Sequence, residues 1–116
     1  MSRDHASLLD VAKACRRLLH FSHEVTWQDF QYDERTRWAV FSQIVIIGEA
    51  ASRLSAEFLA AQPHIPWRQI IGMRHRLIHG YDQVDWERVW AVVQNDVPSL
   101  LSNLEPLLPQ PEDSDS

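Results

Sequence analysis

The segment from Asp33 to Phe58 constrains this chain more than any other. Val40, Ile44, Ile47, Ala51, Leu54 and Phe58 recur at alternating spacings of four and three, which places them on one face of an α-helix. Trp38, Phe41, Val45 and Gly48 form a second apolar stripe beside the first. A helix that is apolar on two faces needs cover on two sides. In a small bundle the second cover is often another subunit, and Gly48, Ala50 and Ala51 are small enough to let a helix come close. Asp33 is a ready N-cap for this helix, and Pro63 and Pro66 end it.

The rest of the chain repeats the helical pattern. From Ser2 to about Phe21, Leu8, Val11, Cys15, Leu18 and Leu19 fall at helical spacing. Thr26 can cap a short turn or helix through Trp27 to Phe30. Pro66 suits the first turn of a helix that runs to His79 and stops at Gly80. Asp85 can cap a further helix with Trp86, Val89, Trp90, Val93 and Val97 on one face, and Pro98 kinks or restarts it. Only three glycines are present, so few positive-φ turns or β-bulges can be built. There is no period-2 strand, no internal repeat and no glycine-rich phosphate loop. The expected fold is all-α: an antiparallel bundle of four to five helices spanning residues 1–108. A monomer this small buries only about two-thirds of its unfolded surface, so a homodimer is expected. Residues 109–116, which include Glu112, Asp113 and Asp115, are expected to be a disordered acidic tail.

Composition removes several classes of function. The single cysteine, Cys15, excludes an internal disulfide and fits a reducing cytosol. Within an apolar helical pattern it reads as a buried thiol rather than a nucleophile. The first ten residues lack the apolar core of a signal peptide. The longest apolar run, Ile44 to Ile47, is far short of the roughly 20 residues that span a bilayer. A soluble, cytoplasmic protein with no membrane contact is expected. The formal net charge of −5 argues against a broad electrostatic grip on nucleic acid. The stretch from Trp67 to His79, however, carries Arg68, Arg74 and Arg76 and no acid, so a local anion site fits within an acidic protein.

The chemistry concentrates in Arg74-His75-Arg76-Leu77-Ile78-His79-Gly80-Tyr81. On the helical reading His79 lies in the last turn, where the negative end of the dipole favours imidazolium. A histidine that titrates near neutral pH gives or takes a proton, and an arginine binds phosphate and stabilises developing charge. Those two functions suffice to cleave RNA without metal. Residues five apart on an ideal helix point about 140° from each other. Arg74 and His79 therefore converge only if the helix loosens before Gly80, if the arginine reaches around, or if two copies share one cleft. His75 and His79, four apart, would share a helical face as a pair of metal ligands, with His64, Asp82 or Asp85 as a third. Two-histidine spacing alone is a weak signal. Surface residues on a polar helical face remain the plain alternative.

A resemblance narrows these alternatives. The run IIGEAASRL from Ile46 to Leu54, the segment Ile65-Pro66-Trp67-Arg68, and Ile71-Gly72-Met73-Arg74 through Tyr81 together resemble the HepT-like HEPN ribonuclease family. These are the toxin halves of HEPN/MNT toxin–antitoxin pairs. Val84-Asp85 and Trp90 through Pro98 are similar to it as well. The family motif is arginine, four residues, histidine, any residue, tyrosine, and Arg74, His79 and Tyr81 match it. The resemblance implies a dimeric helical bundle with both motifs in one interface cleft. It implies a metal-independent endoribonuclease that needs no cofactor and uses Arg74 and His79 as the catalytic pair. It also implies a minimal nucleotidyltransferase antitoxin as partner, with Tyr81 as the position that accepts AMP. His75 stands where the family commonly has asparagine; it can support phosphate binding or add a second titrating group. Glu49 matches an acidic family position and is expected to support Arg74. The alternative is a non-catalytic HEPN module that binds a nucleotide or a partner protein.

Overall fold

The computed structural model describes residues 3–78 and 83–108. His79, Gly80, Tyr81 and Asp82 lie outside the described residues, as does the expected acidic tail at 109–116. Within the described residues the chain is all-α. The helices are α1 (Arg3–Phe21), α2 (Trp27–Tyr32), α3 (Glu34–Ser52), α4 (Ala56–Ala61), α5 (Trp67–Ile71), α6 (Met73–Leu77), α7 (Trp86–Ala91) and α8 (Val97–Leu104). A π-helical turn, Val92–Asp96, joins α7 to α8, and a 3-10 turn, Glu105–Leu107, follows α8. No described helix is long and apolar enough to cross a membrane.

Local capping chemistry sets the starts of α2, α3, α4 and α7. The Thr26 hydroxyl accepts the Asp29 N–H at 3.1 Å, and the Asp29 carboxylate accepts the Thr26 N–H at 3.3 Å, a reciprocal capping box. Asp33 accepts from both the backbone N–H and the hydroxyl of Thr36, which starts α3. These bonds hold the Asp33 carboxyl below its ordinary pKa, the hydroxyl contact contributing most.

The core is the seam between α1 and α3. Leu8, Val11, Cys15 and Leu18 of α1 are buried with Val40, Ile44, Ile47 and Ala51 of α3. Helix α8 closes over the same cluster with Val97, Leu100 and Leu104. Full burial of each large side chain stabilises the fold by about 1.5–3 kcal/mol. Cys15 is completely buried, and that desolvation pushes its thiol pKa up to about 12 despite nearby Arg16. The cysteine is a core residue, as its sequence position implies.

Part of the second stripe of α3 is covered from within the chain. A side-chain Cβ at Gly48 would lie 3.4 Å from the carbonyl oxygens of both Ile70 and Ile71, so glycine permits the close approach of α5. Phe41 packs against Trp86 of α7 at a centroid distance of 6.1 Å. Trp38 meets the same tryptophan edge-on at 5.1 Å and keeps 44% of its surface exposed.

Two further features depart from the sequence expectation. The long helix drawn through Phe58 instead ends at Ser52, and Ser55 caps a separate α4 by accepting the Phe58 N–H. The break is fixed from a distance. Asp4 of α1 accepts the Ser55 N–H at 2.7 Å and the Ser55 hydroxyl at 2.6 Å. The same contact shows that α1 and α3 run antiparallel. Pro98 restarts the helix as α8, as expected, but the residues ahead of it form a π turn that the pattern does not show. The helix widens there by one residue, and the Val97 N–H bonds to the Val92 carbonyl. A proline lacks the N–H and crowds the carbonyl four residues back, and the π turn ahead of it absorbs both defects.

Two outcomes follow from these contacts. The two Ser55 bonds hold the Asp4 carboxyl below the ordinary value of 3.8, the hydroxyl bond contributing most. A depressed folded pKa gives stability that is present above the ordinary value and lost as pH falls through the lower, folded one. Asp4→Asn should therefore lower the thermal midpoint at pH 7 more than at pH 3, measured by circular dichroism. Equal losses at both pH values would contradict the linkage. Cys15 should resist alkylation in the native protein at pH 8 and react fully in denaturant, read by mass spectrometry.

Candidate functional site

The site segment is built from short pieces rather than one helix. The sequence predicts a helix from Pro66 to His79, but the chain turns at Gly72 and again after Leu77. Helix α5 hands over to α6 through Gly72, whose N–H bonds to the Arg68 carbonyl at 3.0 Å. A Cβ at Gly72 would sit 3.2 Å from that same carbonyl, tighter than most side chains tolerate. Helix α6 buries Met73 and Leu77 and turns Arg74, His75 and Arg76 to the surface.

Beyond Leu77 the backbone is extended. Ile78 adopts φ −109° and ψ 125° and forms an antiparallel bridge with Val84. The Asp85 N–H bonds to the Leu77 carbonyl at 2.8 Å. The chain thus leaves α6 and returns to it within eight residues, and the side chain of Asp85 caps α7 through the Arg88 N–H at 3.2 Å. Asp85 acts as the cap that its sequence position predicts.

This geometry corrects the expected helix from Pro66 to His79. His79 was expected in the last turn of a helix, under its dipole, but α6 ends at Leu77 and Ile78 is extended. The reason is Val84 and Asp85: their backbone groups take the partners that a continued helix would have used. Both the 140° divergence between Arg74 and His79 and a shared face of His75 and His79 presuppose a helix unbroken to His79, and His79 lies outside the described residues. Among the described residues no three His, Cys, Asp or Glu side chains gather as a metal site. His64 is exposed in the connection between α4 and α5.

The sequence-predicted site residues are placed unequally. Arg74 and His75 are exposed on α6, and Arg74 has no hydrogen-bond or ion-pair partner among the described residues. Arg76, also exposed, donates to the Gln69 carbonyl at 2.9 Å. Glu49 lies elsewhere. It lines a groove between α1 and α3 with Asp10, Lys13, Arg17 and Arg53, and among the described residues it makes no ion pair with Arg74. The catalytic candidate His79 and the modification candidate Tyr81 fall outside the described residues.

An aromatic clamp that sequence reading did not assign to the site holds the returning strand. Trp86 lies directly after the cap and packs against Phe30, Trp38 and Phe41, with the Arg37 guanidinium 5.2 Å above its ring. Trp90, one turn on, packs against Trp27 and Phe30. The helical spacing of Trp86 and Trp90 was legible, but their partners lie 45 to 63 positions earlier in the chain.

Comparisons with known proteins identify relatives of the chain. A family model described as "Ribonuclease HepT-like" matches residues 11–107. "Probable ribonuclease HepT" of Thermococcus cleftensis is 39% identical over 108 residues, covering 92% of this chain and 98% of that protein. "Putative RNase MJ0127" of Methanocaldococcus jannaschii is 30% identical over 110 residues, covering 95% of this chain and 91% of that protein. No solved structure matches the chain significantly.

The cap at Asp85 gives a stability prediction. Asp85→Ala should cost about 0.5–2 kcal/mol in urea unfolding, and Asp85→Asn, which retains a capping oxygen, should cost less. Equal costs would show that charge rather than capping carries the contribution.

Proposed function

The chain belongs to the HepT-like ribonuclease family, and from that premise we propose that it is a metal-independent endoribonuclease with Arg74 and His79 as its catalytic pair. The observation that carries the reading is the surface placement of Arg74, unpaired among the described residues, in a stretch that carries arginines and no acid. The end of α6 at Leu77 supports it further, because the 140° divergence of an ideal helix presumes a helix that continues past Leu77.

In the proposed reaction the His79 imidazole removes the proton from a ribose 2′-OH. The oxygen attacks the adjacent phosphorus, and the Arg74 guanidinium binds the phosphate and stabilises the extra negative charge of the intermediate. The bond from phosphorus to the 5′-oxygen breaks and that oxygen takes up a proton. The products are a 2′,3′-cyclic phosphate and a 5′-hydroxyl. His75 adds a hydrogen-bond donor to the phosphate beside Arg74.

The proposal extends to assembly and control. Two copies bring their motifs to one cleft. The protein is the cytoplasmic toxin of a toxin–antitoxin pair whose partner is a minimal nucleotidyltransferase, and AMP added to Tyr81 places charge and bulk in the path of the RNA.

Purified protein should cleave RNA in EDTA. Arg74→Ala and His79→Ala should each slow cleavage by about 100-fold or more, with unchanged circular dichroism. Full cleavage by His79→Ala would refute the assignment. Absence of cleavage by the wild type, together with a stable complex with the nucleotidyltransferase, would favour a non-catalytic HEPN module. Incubation with the nucleotidyltransferase and ATP should add the mass of AMP to the wild type and not to Tyr81→Phe.

A further inference from the structure

A cavity of about 190 Å³ lies between the α5–α6 segment and the start of α8. Ile70, Met73 and Leu100 contribute apolar lining, Gln69, Ser99 and Asn103 polar lining, and Arg76 of α6 and Asp96 at the start of α8 the two charges. The two charges do not pair with each other among the described residues. Arg76 spends one of its five N–H donors on the Gln69 carbonyl. Asp96 sits at the N-cap position of α8, yet its side chain caps nothing. The π turn places it there, since the wide turn ends at Asp96. The cavity thus combines apolar side chains with a donor on α6, Arg76, and a two-oxygen acceptor at the start of α8, Asp96.

We propose that this cavity binds a guanine base. Apolar side chains, including the methionine sulfur, suit the faces of an aromatic ring. Guanine presents O6 and N7 acceptors that match a guanidinium. On its Watson–Crick edge, N1–H and the N2 amino group point the same way and match both oxygens of one carboxylate. Adenine and cytosine each offer a single amino group to Asp96 and uracil a single ring N–H, so none of them satisfies both charged groups equally well. The inference rests on the ribonuclease reading for its role: the guanine is one nucleotide of the RNA substrate. Arg76 lies two residues from Arg74, across a helix about 10 Å wide. A strand held at Arg74 therefore reaches the cavity by crossing α6, and the base that is read lies beside the cut rather than at it.

The cavity and the cleavage are tested separately. Guanosine, which carries no phosphate, is titrated into the full chain by NMR alongside adenosine and inosine. Guanosine should bind at least ten-fold more tightly than adenosine, and inosine, which lacks the N2 amino group, should fall between them. Asp96→Asn should weaken guanosine binding at least ten-fold and leave adenosine unchanged. Ser99→Trp, a change at an exposed rim residue, should block guanosine as well. Equal binding of the three nucleosides, or guanosine binding that Asp96→Asn leaves intact, would overturn the proposal. In cleavage assays on RNAs differing at one base, the wild type should prefer guanine near the cut. Asp96→Asn should lose that preference while cutting guanine-free RNA at the wild-type rate. If no RNA is cut by any form, the ribonuclease reading fails and the titration still decides the cavity.

Discussion

The burial of α1 against α3 is the contact on which the rest of the structure depends. Leu8, Val11, Cys15 and Leu18 lock against Val40, Ile44, Ile47 and Ala51, and α8 closes over the pair. Every shorter element is too brief to be stable alone, since isolated helices below about 12–15 residues are marginal in water. Helices α5, α6 and α7 each run five or six residues. They persist because α3 gives them a surface. Gly48 admits the backbone of α5, and Phe41 and Trp38 receive Trp86.

That surface also explains how a short, charged segment is presented. Arg74, His75 and Arg76 occupy the outer side of α6, while Met73 and Leu77 anchor its inner side. The chain leaving α6 is tied back by the Ile78–Val84 bridge and by the bond from Asp85 to Leu77. Trp86 and Trp90 then pin the start of α7 to α2 and α3. Ile78 and Val84 are thereby fixed to each other and to the packed ends of α6 and α7.

The features legible in the sequence share one property: their cause is local. Thr26, Asp33 and Asp85 read as caps because a capping side chain reaches only two or three residues ahead. The stripes of α1 and α3 read as helices because period 3.6 is a property of the chain itself. The missed features have distant causes. The break before α4 depends on Asp4, 51 residues from Ser55. Leu77 ends α6 because Val84 and Asp85 return to it, and no pattern in residues 66–79 announces that. Gly48 reads as small enough to admit a helix, but only the docked structure shows that the helix is α5.

The sequence by itself determined the fold class, the caps, the buried Cys15 and the family motif of Arg74, His79 and Tyr81, since each rests on residue type and short spacing. Tertiary structure decided which helix covers which stripe and where the long helices stop. It also placed Glu49 in the α1–α3 groove and brought Arg76 and Asp96 to one cavity. The physical reason is the same in each case: a side chain's partner across the bundle is set by how the helices dock, and docking is a property of packed surfaces rather than of any short stretch of chain.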